Sequence, residues 1–221
     1  MKNIKLALPL AFALVFSACS SKQEVKKEEI QVKEDVDSKL KRQRVEADKC
    51  QVLPQKDAKL SCYNQIIETN TFAMLRMGIH YADKLKNYPE AIKLFEKMID
   101  NGNYHGNLGL AFLYFRGKGV EQNYERAHNL LVQSYEKDPN AAYQLSRFYF
   151  RGVGTIQKDE AKAVRFITDA ANRGLYTAQK RLYRIYRDGL YGVKTDEEKA
   201  KLWREKYQNN NFDDLAKLYR L

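Results

Sequence analysis

The stretch Ala127-His128-Asn129-Leu130-Leu131-Val132-Gln133-Ser134 and its echo Ala163-Val164-Arg165-Phe166-Ile167-Thr168-Asp169-Ala170 decide how this chain folds. Each opens on a small Ala and places apolar or small side chains three, four and seven residues later. Those offsets bring the side chains onto one face of a helix. The same phase recurs at Ala91 (Leu94, Phe95, Met98) and at Ala200 (Trp203, Tyr207, with Arg204 in one slot), so the four Ala stand 36, 36 and 37 residues apart. A fixed period of this length is the mark of a repeat architecture, in which each unit buries its apolar face against its neighbours.

A second helix is expected ahead of each of these. Its steps are Ala73…Met77-Gly78…Tyr81, Gly106…Leu110-Ala111…Tyr114, Ala141…Leu145-Ser146…Tyr149 and Ala178…Leu182-Tyr183…Tyr186. A small residue lets the two helices of a pair approach, and a Tyr eight residues later fills space while keeping its hydroxyl near a polar partner. Between the helices, Arg116-Gly117-Lys118-Gly119-Val120 aligns with Arg151-Gly152-Val153-Gly154-Thr155, and Asp188-Gly189-Leu190-Tyr191-Gly192-Val193 is one residue longer. Gly just past a helix ends it in the left-handed conformation. Asp159-Glu160 and Asp196-Glu197-Glu198 then sit where a helix start favours acids. The Gly pairs are not a phosphate loop, because they lack a preceding strand and a Gly-Lys-Ser/Thr ending.

This pattern is similar to the Sel1-like repeat, a relative of the tetratricopeptide repeat with a longer Gly-x-Gly loop. The resemblance covers residues 72–209. Its first copy departs from the pattern, since Lys84 to Pro89 has no Gly pair. The resemblance implies an all-α, right-handed α-solenoid of about four helix-turn-helix repeats. Residues 210–221 (Phe212, Leu215, Ala216, Leu218, Tyr219) read as a C-terminal capping helix, and 49–71 as the N-terminal cap.

At the amino end, Lys2 and Lys5 precede an apolar run from Leu6 to Phe16 and then Ser17-Ala18-Cys19. A positive start, a short apolar stretch and small residues describe a secretory signal peptide. Phe16-Ser17-Ala18-Cys19 resembles the lipobox of bacterial lipoproteins, in which the Cys carries the lipids; an ordinary signal peptide with an incidental Cys is the alternative. Residues 1–18 are then removed and Cys19 is the lipid attachment point. Ser20, rather than Asp, after the Cys favours the outer membrane, on its periplasmic side, over the inner membrane. Loss of two Lys takes the net charge from +11 to +9. A basic chain often meets nucleic acid, but export leaves lipid headgroups, wall polymers and acidic protein surfaces as the available polyanions.

Residues 19–48 are dense in Lys, Glu, Asp, Gln and Arg with almost no aromatic side chain. Such a segment buries too little apolar area to fold alone and is expected to be a charged tether, with a partner-binding helix as the alternative. Cys50 and Cys62 remain as a pair. In an oxidising compartment a disulfide is the default; a metal site would need more ligands, and His80, His105 and His128 do not cluster with them in sequence. Cys50 followed a dozen residues later by Leu60-Ser61-Cys62-Tyr63-Asn64 resembles a short element near the amino terminus of exported proteobacterial proteins, with Asn64 where Asp is usual. That element marks export, not catalysis, and Asp57 and Ser61 take no catalytic role from it.

No cofactor is expected. The first helices carry Arg147, Arg151, Lys180, Arg181, Arg184 and Arg187 mixed with Phe148, Phe150, Tyr183 and Tyr191. Arg and Tyr are favoured at binding hot spots. A basic, aromatic groove would suit acidic or extended segments of other envelope proteins. In the alternative the aromatics pack between repeats while the Arg face water. The expectation is therefore an interaction module and not an enzyme. Two other functions remain open: a binder of envelope glycans, and a β-lactamase-like or penicillin-binding enzyme of the cysteine-rich repeat family. The enzyme would rest on Ser38-Lys39-Leu40-Lys41, which lacks an accompanying Lys-Thr-Gly element.

Overall fold

The structure is a computed structural model and describes residues 34–210. The signal-peptide and lipid-site expectations (residues 1–18 and Cys19) lie outside the described residues, as do the amino-terminal half of the tether and the closing helix from Phe212 to Tyr219. From Val36 onward the chain forms one compact unit. Among the described residues it is helical throughout. The helices are α1 (Val36–Gln51), α2 (Lys56–Ile66), α3 (Thr71–His80), α4 (Tyr88–Asp100), α5 (His105–Arg116), α6 (Tyr124–Ser134), α7 (Pro139–Arg151), α8 (Glu160–Asn172), α9 (Tyr176–Asp188) and α10 (Glu197–Gln208). None of these helices is long and apolar enough to cross a membrane.

Helices pair as α3–α4, α5–α6, α7–α8 and α9–α10, and each pair packs on the next through α4–α5, α6–α7 and α8–α9. The small residues found in phase are the ones at the seams. Ala73, Ala91, Ala127, Ala141, Ala163 and Ala178 are all fully buried. A larger side chain there would push the paired backbones apart, and overpacking a dense core costs about 1–3 kcal/mol.

One device closes every repeat. Four residues before each phase Ala stands an Asn or Asp: Asn87, Asn123, Asp159 and Asp196. Its side chain accepts the backbone N–H three residues on, capping α4, α6, α8 and α10. Its own N–H donates back to the carbonyl of the phase Tyr at the end of the first helix (Tyr81, Tyr114, Tyr149 and Tyr186), at 2.9–3.0 Å. The cap and the return bond fix both helix ends with one residue. The Gly pair completes the turn. Gly117 sits at φ 61 and stops α5. At Gly119 a Cβ would lie 2.2 Å from the Cβ of Tyr88, so the loop rests directly on the start of α4. In the first copy Lys86 takes the left-handed conformation in place of Gly (φ 56), after a π turn over Tyr81–Leu85.

The tether expectation is corrected from Val36 on. Leu40, Gln43, Ala47 and Cys50 are buried along one stripe of α1, which packs on α2 and α3. Gln43 makes the attachment. Its Oε1 accepts from the backbone N–H and hydroxyl of Thr71, and its amide donates to the carbonyl of Thr69. Asn70 donates to the Gln43 carbonyl, and Asn103 donates to the Thr71 hydroxyl. The polar chain is continued by His105, whose Nδ1 lies 2.9 Å from an oxygen of the buried Asp138. The starts of α3, α5 and α7 are thus joined through buried polar side chains that also cap them. At α9 the corresponding position is the apolar Leu175, which makes no side-chain cap.

Cys50 and Cys62 are bonded, joining α1 to α2. Beside them Tyr63 is wholly buried, and its hydroxyl donates to Gln51. The segment is a disulfide-stapled N-terminal cap on the solenoid.

Candidate functional site

Three neighbouring hollows run along the first helices. The one near the N-terminal end, about 450 Å³, is lined from α3 across α5 to α7 and reaches Thr177 of α9. A second, the smallest of the three at about 60 Å³, adjoins it between α5 and α7. The third, about 330 Å³, lies between α7 and α9. The first two share Leu108, Phe112, Arg116 and Gln144, and the first and third share Tyr143 and Thr177. They form one groove. A more capacious hollow of about 550 Å³ is lined by Lys162 to Asn172 of α8 with Tyr135. It is the outer surface of one helix and not a cleft between two.

The groove is basic for a simple reason of register. Residues 147, 151, 180, 181 and 184 fall on the faces of α7 and α9 that turn away from the pairing helices α8 and α10, and their neighbours Leu145, Phe148, Leu182 and Ile185 fill the core. Arg147 and Arg151 line the small hollow together with Arg116. Lys180 and Arg184 line the third together with Arg181. Arg187 goes elsewhere. It lines none of these hollows, and its guanidinium makes two bonds to the Asp188 carboxylate, at 2.6 and 2.7 Å, and a third to the Tyr183 hydroxyl. Those bonds hold its proton more firmly than usual, and they neutralise its charge.

The remaining charges have no such counter-ion. Among the described residues no carboxylate lies within 4.0 Å of Arg116, Arg147, Arg151, Lys180, Arg181 or Arg184. Among the described residues Asp83, at the far end, is the single carboxylate lining the three hollows. Arg147 is half-buried, and its hydrogen bond goes to the neutral Gln144 at 2.8 Å. Burial, then the like charges of Arg151, Arg181 and Arg116, hold its guanidinium below the usual value against the opposing influence of Tyr143. A cluster of cations that repel one another and are partly out of water is stabilised by any anion that enters.

The aromatic side chains divide between two roles. Phe148 and Phe150 are buried and serve packing. Phe148 meets Phe115 edge-on, with centroids 5.4 Å apart, and Phe150 lies 4.0 Å from Tyr191. Arg181 sits over Phe150 at 4.8 Å and donates to the Tyr191 hydroxyl, so its direction is fixed by the aromatic pair. Tyr143, Phe112 and Gln144 line the groove and belong to no motif singled out in the sequence. Their signal was available in the register, since 143, 144, 147 and 151 share one face of α7.

Ser38, on which a Ser-x-x-Lys enzyme would rest, is exposed in the first turn of α1 and lines none of these hollows. Among the described residues no three His, Cys, Asp or Glu side chains are grouped as metal ligands.

The Sel1 repeat model matches four consecutive stretches, residues 71–103, 105–138, 139–175 and 178–206, which are the four helix pairs α3–α4 to α9–α10. The fold is similar to that of a Sel1 repeat protein from Oxalobacter formigenes, at 24% identity and a TM-score of 0.62, over 79% of this chain and 73% of that one. It is similar also to c5321, a protective antigen of uropathogenic Escherichia coli strains with an SLR fold, at 24% identity and a TM-score of 0.53. There the match covers 76% of this chain but spans only 38% of the antigen's length. Among curated protein sequences, none matches.

Proposed function

Because this chain belongs to the Sel1 repeat family, whose folds in general mediate protein–protein interaction rather than catalysis, we propose that it is an adaptor of the bacterial cell envelope. Lipids on Cys19 hold it to the periplasmic face of the outer membrane. Its basic groove takes acidic, extended segments of other envelope proteins. Several acyl chains at about 0.8 kcal/mol per buried methylene make such an anchor stable.

The observation that carries this reading is the row of groove cations without carboxylate partners among the described residues, from Arg116 through Arg147 and Arg151 to Arg184. Crowded like charges around the half-buried Arg147 weaken the free protein, and a fold keeps them at little net cost where a partner supplies the missing anions. The disulfide between Cys50 and Cys62 suits an exported protein.

The test places a photo-crosslinking amino acid at Tyr143, in the floor of the groove, and irradiates intact cells that make the full lipoprotein. The reading expects a discrete protein adduct that disappears when Arg147 and Arg151 are changed to Glu and when Cys19→Ala removes the anchor. An adduct indifferent to charge reversal would exclude the groove as the binding site. One indifferent to Cys19 would exclude the anchor.

A further inference from the structure

The small hollow between α5 and α7 has an apolar floor beneath three cations. Leu108, Ala111, Phe115, Leu131, Phe148 and Val153 make the floor. Arg116, Arg147 and Arg151 stand at its mouth with Gln144. Ala111, Leu131 and Phe148 are at most 5% exposed, so the hollow reaches the core of the second and third repeats. Phe115 is held edge-on to both Phe148 and Tyr124, with centroids 5.4 and 5.3 Å away, so the wall is preformed.

Size decides what it can hold. A cavity of about 150 Å³ lined by Leu, Ile and Phe takes a benzene ring, whereas one water needs about 10–15 Å³. At about 60 Å³ this hollow lies between those two sizes, which suits a small aliphatic group better than an aromatic ring. Apolar walls give a water molecule few partners, so the space favours an apolar occupant.

Building on the reading of the groove as an acidic-segment site, we infer that this hollow is its anchor subsite. It takes one leucine- or valine-sized side chain of a partner protein whose flanking carboxylates are gripped by Arg116, Arg147 and Arg151. The two parts support one another. The anchor gives depth and register, and the guanidinium groups give charge complementarity and select against neutral chains. Arg147 is the central clamp, because it is the half-buried one of the three and its orientation is set by the bond to Gln144.

The test measures fluorescence anisotropy of the purified lipid-free protein, with its disulfide intact, against dye-labelled seven-residue peptides. The parent peptide has a central leucine between pairs of glutamates. The inference expects saturable binding of the parent, with about 10- to 30-fold weaker binding when the leucine becomes alanine, the loss that burying such a side chain implies. It expects a similar loss with tryptophan, which does not fit. Changing the glutamates to glutamine, or the protein by Arg147→Gln, should weaken the parent at least about tenfold. Arg187→Gln should leave it unchanged and shows that the fold tolerates loss of an Arg from this region.

Equal binding of the leucine, alanine and tryptophan peptides, with the charge effects intact, would overturn the anchor subsite and leave the acidic groove standing. Tightest binding of the tryptophan peptide would overturn the size argument. Absence of binding by any acidic peptide would overturn the groove itself.

Discussion

Asp138 offers the sharpest test of how the repeats are held together. It is fully buried at the start of α7 and uses both carboxylate oxygens. Oδ1 accepts from the backbone N–H and amide of Asn140, and Oδ2 lies 2.9 Å from Nδ1 of His105, at the start of α5. An ionised carboxylate only accepts, so Nδ1 of His105 carries a hydrogen and donates it. Burial by itself would push the Asp138 carboxyl up. The bond and charge of His105, with the bonds from Asn140, outweigh burial and hold it below the ordinary carboxylate value. Asp138→Asn keeps the shape and the cap, but its amide can meet Nδ1 of His105 only by donating to a neutral ring, so the charge-assisted link to α5 is lost. A hydrogen bond to a charged group is worth about 1.5–3 kcal/mol, and that is the expected loss. Asp138→Ala loses both, and adding a cap worth about 0.5–2 kcal/mol brings its cost to about 2–5 kcal/mol. The pH dependence has a definite sign. The native carboxyl titrates below the unfolded one, near 3.9, so its contribution is full above about pH 4 and disappears as the pH falls further. Urea unfolding at pH 7 and again at pH 3 measures this. The gap between wild type and Asp138→Asn should be wider at pH 7 than at pH 3. An Asn variant as stable as wild type at pH 7, or a gap that does not change with pH, would refute the account.

Three other outcomes follow from the same contacts. Asp159→Ala removes the cap of α8 and should cost about 0.5–2 kcal/mol in thermal or urea unfolding, with Asp159→Asn restoring most of it. Gly119→Ala places a Cβ in the left-handed region and against Tyr88, and should cost about 2–4 kcal/mol, well above the usual penalty for a loop substitution. Cys50→Ser removes a cross-link over a separation of 12 residues, worth about 3 kcal/mol, and should make α1 and α2 the first segments cut by a protease. Unchanged proteolysis would mean that Gln43 and its partners hold the cap without help.

The repeats were legible because their information is periodic. Ala91, Ala127, Ala163 and Ala200 each had to be small, and each falls at a seam. The closing device was half legible. Asp159 and Asp196 stood out as acids at helix starts, whereas the uncharged Asn87 and Asn123 did not, although all four lie four residues before a phase Ala and each Asn is followed by Tyr. Helix α1 escaped notice because its buried stripe is Leu40, Gln43, Ala47 and Cys50. One large apolar side chain in four gives no amphipathic signal, and the attachment runs through a buried amide. Sequence composition describes solvation, and it cannot register a polar side chain that is buried because every bond it needs is waiting for it. The groove was legible as a set of cations on α7 and α9. It took the fold to show that Arg187 is neutralised by Asp188, that Arg116 joins from α5, and that a small apolar hollow lies beneath them.

Hydrogen exchange on the protein saturated with the acidic leucine peptide tests the central claim most directly. The account predicts slowed exchange in the groove-facing helices, over Leu108–Arg116 of α5, Tyr143–Arg151 of α7 and Thr177–Arg184 of α9, with α8 and α10 unchanged and with the protection lost in Arg147→Gln. Protection confined to α8 and α10, or to α1, would place the partner on another surface and contradict it.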